Sequence, residues 1–243
     1  GIYNSPKEKP QQGTHESLFC ARPGLDVWKA SAWAESKDYY NPKEVMEAAR
    51  LMLSVADRYK GNNNFEYDLV DVLRQAITEK GRLVLKVVSA AYKAEDQGLF
   101  AQASQRFLNL ILLQDELLGT RKEFRVGNWT GMARNIGQTK EEKDLYEWNA
   151  RVQITTWGNH SASERGKLHD YAHKEWNGIL KDFYYMRWKT YFDGLTRSLK
   201  GEMVPVIDWY ALEEPWTKVS DTYSSQSEGN CIEVAKRVYQ EIF

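Results

Sequence analysis

From Asn41 onward the apolar positions of this chain recur every three or four residues, the period of a helix with one buried face. Val45, Ala48, Ala49, Met52, Val55 and Ala56 follow the Asn41-Pro42 start signal and predict a helix from Pro42 to about Tyr59. Gly61-Asn62-Asn63-Asn64 interrupts the pattern. Leu69, Val70, Leu73, Ile77, Leu83, Val84, Val87, Val88 and Tyr92 then predict a second, long helix starting near Tyr67. After Asp96-Gln97-Gly98, Phe100, Phe107, Leu110, Ile111, Gln114, Leu117 and Leu118 carry a third helix to about Lys122. Its apolar arc is wide enough to require neighbours on more than one side.

A short helical piece from Trp129 to Asn135 stops at Gly137, and Thr139 with Glu142 reads as a capping box opening a helix to about Thr156. Leu145, Trp148, Val152 and Thr155 share its inward face. Past a loop at 158–166, Leu168, Ala172, Trp176, Ile179, Phe183, Trp188, Tyr191 and Leu195 keep helical spacing and predict the longest helix, 167–199. Trp148, Trp176, Phe183 and Trp188 are expected in the core. Two last helices fall near 207–220 and 228–243. No βαβ alternation or strand pattern is present, so the fold class is all-α: an irregular multi-helix bundle with an extended N-terminal lead-in. Pro6, Pro10, Pro23, Gly13 and Gly24 make residues 1–40 that lead-in and leave 41–243 as the helical domain. The chain opens on Gly1 with nothing resembling a translation start. Such a lead-in suits a segment emerging from a preceding domain, so a fragment of a longer chain is expected.

Composition narrows the function classes. With 243 residues, 42% hydrophobic and 28% charged, the chain has the make-up of a globular protein with a sizeable core. Thirty-three basic residues against thirty-four acidic leave a net charge of -1, with no overall field to attract nucleic acid. No apolar run approaches the roughly 20 residues of a membrane span. Cys20 and Cys231 stand near opposite ends of the chain and fit a pair of buried thiols, one long-range disulfide or two unrelated residues, with unpaired thiols the preferred reading.

Candidate chemistry concentrates between Leu145 and Phe192, which hold four of the nine tryptophans and three of the four histidines. His169 and His173 stand at i and i+4 with Asp170 between them, a loose echo of the helical zinc-hydrolase motif. The echo lacks a glutamate base and a compelling third ligand, although His160 is a candidate. In the second helix Arg74 is spaced to pair with Asp71. Asn149, Gln153 and Trp157 recur at i, i+4 and i+8, where an aromatic ring beside amides could pack on a pyranose and bond its hydroxyls. No phosphate loop, nucleophile and base grouping, or singled-out carboxylate pair is apparent, so no catalytic residue, metal ligand set or cofactor site is assigned.

Several blocks resemble the C-terminal helical region of the α-N-acetylglucosaminidases of glycoside hydrolase family 89. They are YDLVDVLRQA at 67–76, YEWNARVQITTWG at 146–158, LHDYAHKEWNGIL at 168–180 and YYMRW at 184–188, with ESLFCARP at 16–23 in the lead-in. The resemblance implies a parent enzyme that removes terminal α-linked N-acetylglucosamine from glycans with retention, using two carboxylates on a preceding (β/α)8 barrel. This chain would then be a non-catalytic domain whose partners are that barrel and the terminal sugar. The resemblance implies His15, Trp157, Asp170 and Tyr171 as substrate-binding residues, Arg74 and Arg151 as structural anchors, and a non-cytosolic location. The alternatives are a stand-alone zinc hydrolase built on His169 and His173, or a helical glycan-binding module.

Overall fold

The computed structural model describes residues 17–27, 40–221 and 223–243. Within them the chain forms α1 (Pro42–Val55), α2 (Asn63–Lys93), α3 (Gln97–Gly119), α4 (Val126–Arg134), α5 (Lys140–Gln153), α6 (Tyr185–Leu199), α7 (Trp209–Lys218) and α8 (Cys231–Ile242). No strand appears among the described residues; a lone parallel bridge joins Arg125 to Asn177. The helix starts follow local chemistry. Asn41, Asn62, Asp96, Asp208 and Asn230 each accept a hydrogen bond from a backbone N–H in the first turn of their helix. Thr139 and Glu142 complete the capping box that opens α5.

The α2–α3 hairpin is the spine of the domain, with α1 and α8 against α2, and α6 and α8 against α3. Leu69, Leu73, Ile77, Phe107 and Ile111 are sealed inside it. The ring of Phe107 lies 4.4 Å from that of Trp188 on α6 and 5.3 Å from that of Phe19 in the lead-in. Part of the expected lead-in therefore belongs to the core: Leu18, Phe19, Cys20 and Ala21 are all buried. Gly81 admits this wedge, since a Cβ there would come within 2.7 Å of the Phe19 ring. Trp188 Nε1 donates to the Phe19 carbonyl and Arg187 Nη1 to that of Cys20, which satisfies a non-helical segment inside a helical body. Cys20 and Cys231 are both buried and free, and burial pushes each thiol above its ordinary pKa.

Two expected helical features are corrected. The long helix over 167–199 is broken: 166–179 is irregular, a π-helical turn spans Leu180–Tyr184, and only Tyr185–Leu199 is regular α-helix. Asn177-Gly178 is a turn pair, with Gly178 at φ 93°, and Asn177 pairs its backbone with Phe124 and Val126 rather than with its own turn. Tertiary pairing thus overrode an apolar period that looked continuous. On α5, Leu145 and Trp148 are exposed rather than inward, whereas Glu147, Ala150, Arg151 and Val152 are buried. Arg151 pairs with Glu147 at 2.6 Å, donates to the Trp216 carbonyl and stacks 4.7 Å over the Trp216 ring. This ion pair turned the helix by claiming the inner face. Trp176 is partly buried, and Phe183 and Trp188 are in the core as expected.

Asp115 on α3 anchors the irregular stretch. Its carboxylate accepts from Gly178 N at 2.7 Å, Lys181 N at 3.2 Å and Asn177 Nδ2 at 2.8 Å, and so serves as a remote cap for the turn that begins at Leu180. Burial outweighs these donors and pushes its pKa from 3.8 up to about 6. A raised carboxyl pKa leaves its contribution to stability intact below about pH 4, and that contribution is lost as the pH rises through 6. Ionising this carboxyl should cost the fold up to ~3 kcal/mol by pH 7. Unfolding midpoints measured from pH 4 to 7 should therefore fall more steeply for the unaltered chain than for Asp115→Asn, which does not titrate; parallel curves would refute this.

Candidate functional site

The segment from Trp157 to Tyr171 leaves the end of α5, makes a π-helical turn at Ser161–Arg165 and returns along the bundle. Three of its non-glycine residues adopt left-handed backbone: Trp157 at φ 61°, Lys167 at 53° and Asp170 at 60°. Aspartate tolerates this region, but a tryptophan there is strained by about 1 kcal/mol or more. Trp157 N donates to the Val152 carbonyl at 2.8 Å, so the strained residue closes the helix end where a glycine would ordinarily sit. The consequence is that the indole swings out of line with Asn149 and Gln153, which remain exposed on α5, and meets Tyr171 instead. The two rings lie 4.9 Å apart at 49°, with Trp157 partly exposed and Tyr171 53% exposed. Two aromatic rings held together at the surface make an aromatic platform, apolar surface of the kind that can pack on a flat ligand face.

Behind the platform lies a buried charge network that the sequence reading missed. Arg187 on α6 straddles the carboxylate of Asp170, with Nη1 at 2.9 Å from Oδ1 and 3.1 Å from Oδ2, and its Nε is 2.8 Å from Glu213 Oε1 on α7. Glu213 also accepts from Nε and Nη2 of Arg22 in the lead-in, at 3.0 and 2.9 Å. Arg22 reaches on to Glu164 in the π-helical turn, at 2.8 and 2.6 Å. Asp170, Arg187 and Glu213 are each 1% exposed. Burial raises the Asp170 pKa, and Arg187 opposes that rise. Burial also works against the Arg187 charge, but Asp170 and Glu213 outweigh it and hold its pKa above the ordinary value. An arginine in the YYMRW block between buried aromatics was the available signal, because a buried guanidinium must find carboxylates.

Trp157 and Tyr171 are thus brought together, and Asp170 lies beside Tyr171 in sequence but turns its carboxylate inward to Arg187. His15 lies outside the described residues. The histidine pair does not form the helical motif it suggested, because 166–179 is not a helix. His169 Nδ1 donates to the Ser163 carbonyl at 2.9 Å and His173 Nδ1 to the Asp170 carbonyl at 3.0 Å, so both rings brace the loop. Among the described residues no group of three or more His, Cys, Asp and Glu is placed to hold a metal ion. Arg74 pairs with Asp71, as its spacing predicted, and also reaches Glu175 at 3.3 Å.

The six buried carboxylates among the described residues are all engaged. Glu79 meets Tyr40 and Arg82, Asp115 caps its turn, and Glu147 holds Arg134 and Arg151. Glu175 accepts from Ser17, Thr78, Arg74 and Gln114, and Asp170 and Glu213 hold Arg187 and Arg22. None is left facing a cleft as the acid or nucleophile of glycoside hydrolysis.

Comparison with known proteins places this helical chain as one part of longer polypeptides. The family described as alpha-N-acetylglucosaminidase (NAGLU) C-terminal domain matches residues 1–241. The chain belongs to that family. It is 28% identical to human alpha-N-acetylglucosaminidase over 249 residues, covering 100% of this chain and 32% of the human one. A family 89 glycoside hydrolase from Clostridium perfringens, solved with PUGNAc, superposes with a TM-score of 0.92 at 34% identity, covering 98% of this chain and 28% of that one. A Clostridium perfringens enzyme solved with its substrate GlcNAc-alpha-1,4-galactose gives a TM-score of 0.90 at 34% identity, over 96% of this chain and 28% of that one. The chain therefore spans about a third of the human relative and less of the solved enzymes. No helix of the described residues is long and apolar enough to cross a membrane.

Proposed function

We propose that this domain serves a larger, exo-acting α-N-acetylglucosaminidase that hydrolyses terminal α-linked N-acetylglucosamine from glycans, packing on a preceding catalytic barrel and walling part of its substrate pocket. The reading is carried by the superposition of almost the whole chain on enzymes solved with PUGNAc and with the substrate GlcNAc-alpha-1,4-galactose. Within it, residues 1–40 connect to the barrel, and Trp157 and Tyr171 contact the sugar together with His15. Asp170 supports them by fixing the backbone that presents Tyr171. Substrate chemistry belongs to carboxylates of the barrel, since the buried ones here are neutralised by arginines or hydrogen bonds. Holding a sugar in reactive geometry from such a wall raises turnover without a reacting group. A non-cytosolic location belongs to the same reading.

The test compares this chain with its full-length polypeptide on an aryl α-N-acetylglucosaminide. Turnover is expected from the full-length protein and none from the domain. Hydrolysis by the domain alone at a comparable rate would overturn the assignment of the chemistry to the barrel. An inactive full-length protein would overturn the enzymatic reading itself.

A further inference from the structure

We infer that Glu213 is a positioning residue for the Trp157–Tyr171 platform: one buried carboxylate on α7 that fixes both limbs of the loop at once. The inference rests on the sugar-contact reading of the two rings and extends it to a residue far from them in sequence. Its basis is connectivity. The loop has an outgoing limb ending in the π-helical turn with Glu164, and a returning limb with Asp170. Each is gripped by a different arginine, Arg22 from the lead-in and Arg187 from α6, and both arginines converge on Glu213.

The local bonds of the loop tie it mainly to itself and to the end of α5. Leu168 N donates to the Ala162 carbonyl and His169 Nδ1 to that of Ser163, while Asp170 N donates to the Thr155 carbonyl. The charge network adds the link to α6, α7 and the lead-in. Two arginines face three carboxylates here, so Glu213 is the shared member whose charge keeps the guanidinium groups together. The left-handed residues make a firm anchor necessary, because strained backbone relaxes unless its surroundings over-determine it. Loss of the Glu213 charge should free Arg22 to turn outward with Glu164 and leave Arg187 paired with Asp170 alone. The loop then opens locally while the α2–α3 spine remains closed.

The experiment uses the full-length polypeptide carrying Glu213→Gln, with hydrogen exchange read by peptide and kinetics on an aryl α-N-acetylglucosaminide. Peptides covering 157–171 should exchange about tenfold faster while those of α2 and α3 stay at the unaltered rate. Catalytic efficiency should fall, and in a Trp157→Ala background the same change should add little further loss, because positioning acts through the ring. Glu164→Gln, at the half-exposed rim, gives the same local effect in weaker form and decides the matter where Glu213→Gln does not fold. Exchange of 157–171 at the unaltered rate in either folded variant overturns the inference, as does acceleration spread evenly over the domain. Faster local exchange with unchanged kinetics in Trp157→Ala would keep the anchor but overturn the sugar-contact reading, so the two failures are separable.

Discussion

Replacing Arg187 by alanine is expected to lower the thermal unfolding midpoint of the domain by roughly 10 °C, the largest single effect foreseen for this protein. The side chain is 1% exposed, and its removal leaves Asp170 buried without its counter-charge and Glu213 with Arg22 alone. Breaking one member of such a group costs about 3–5 kcal/mol, against a typical total of 5–15 kcal/mol. The change also frees the Cys20 carbonyl and empties the place 4.5 Å over the Phe183 ring. Adding Asp170→Asn to Arg187→Ala should recover part of the loss, because an unpaired buried carboxylate is the chief penalty and an amide carries no charge. Unfolding followed by circular dichroism decides this. A midpoint within 2–3 °C of the unaltered chain, the size of a change below about 1 kcal/mol, would show that the cluster is not a stability centre.

Trp157→Ala in the full-length polypeptide is expected to reduce kcat/KM by about tenfold or more, the loss of one desolvated aromatic contact of about 1.4 kcal/mol in the transition state. The folded domain should hardly notice, since the indole is partly exposed and its main ring partner is Tyr171. Its φ of 61° supplies a control. Glycine adopts left-handed backbone at little cost, so Trp157→Gly keeps the loop path while removing the ring. Both variants should lose efficiency alike if the ring touches substrate. Recovery of activity in the glycine variant would assign the alanine effect to loop distortion, and unchanged kinetics in both would return Trp157 to a purely structural role.

How far this site could be read in advance follows from the range of the interactions that build it. The proximity of Trp157 and Tyr171 was reachable because both lie in blocks that resemble a known family and flank one loop. The orientation of Asp170 was hidden for a physical reason: a carboxylate beside a tyrosine looks available on paper, and only the fold reveals Arg187 behind it. The pairing of Glu213 with Arg22 gave no signal, although Arg22 lies in the ESLFCARP block, because their meeting depends on α7 and the lead-in arriving at the same point. The exposed Trp148 teaches the same lesson from the other side, since a pattern that assigns apolar residues to the interior cannot foresee a buried Glu147–Arg151 pair.

The all-α class, most helix boundaries and the caps that start them were legible in the residues alone, because hydrophobic period and capping are local properties that each segment carries with it. Long-range packing, by contrast, set 166–179 outside any helix, drew residues 18–21 into the core, and closed two arginines and three carboxylates from four parts of the chain on one another. Those outcomes depend on partners distant in sequence, whose backbone hydrogen bonds and buried charges outweigh the few tenths of a kcal/mol per residue by which a chain prefers a helix.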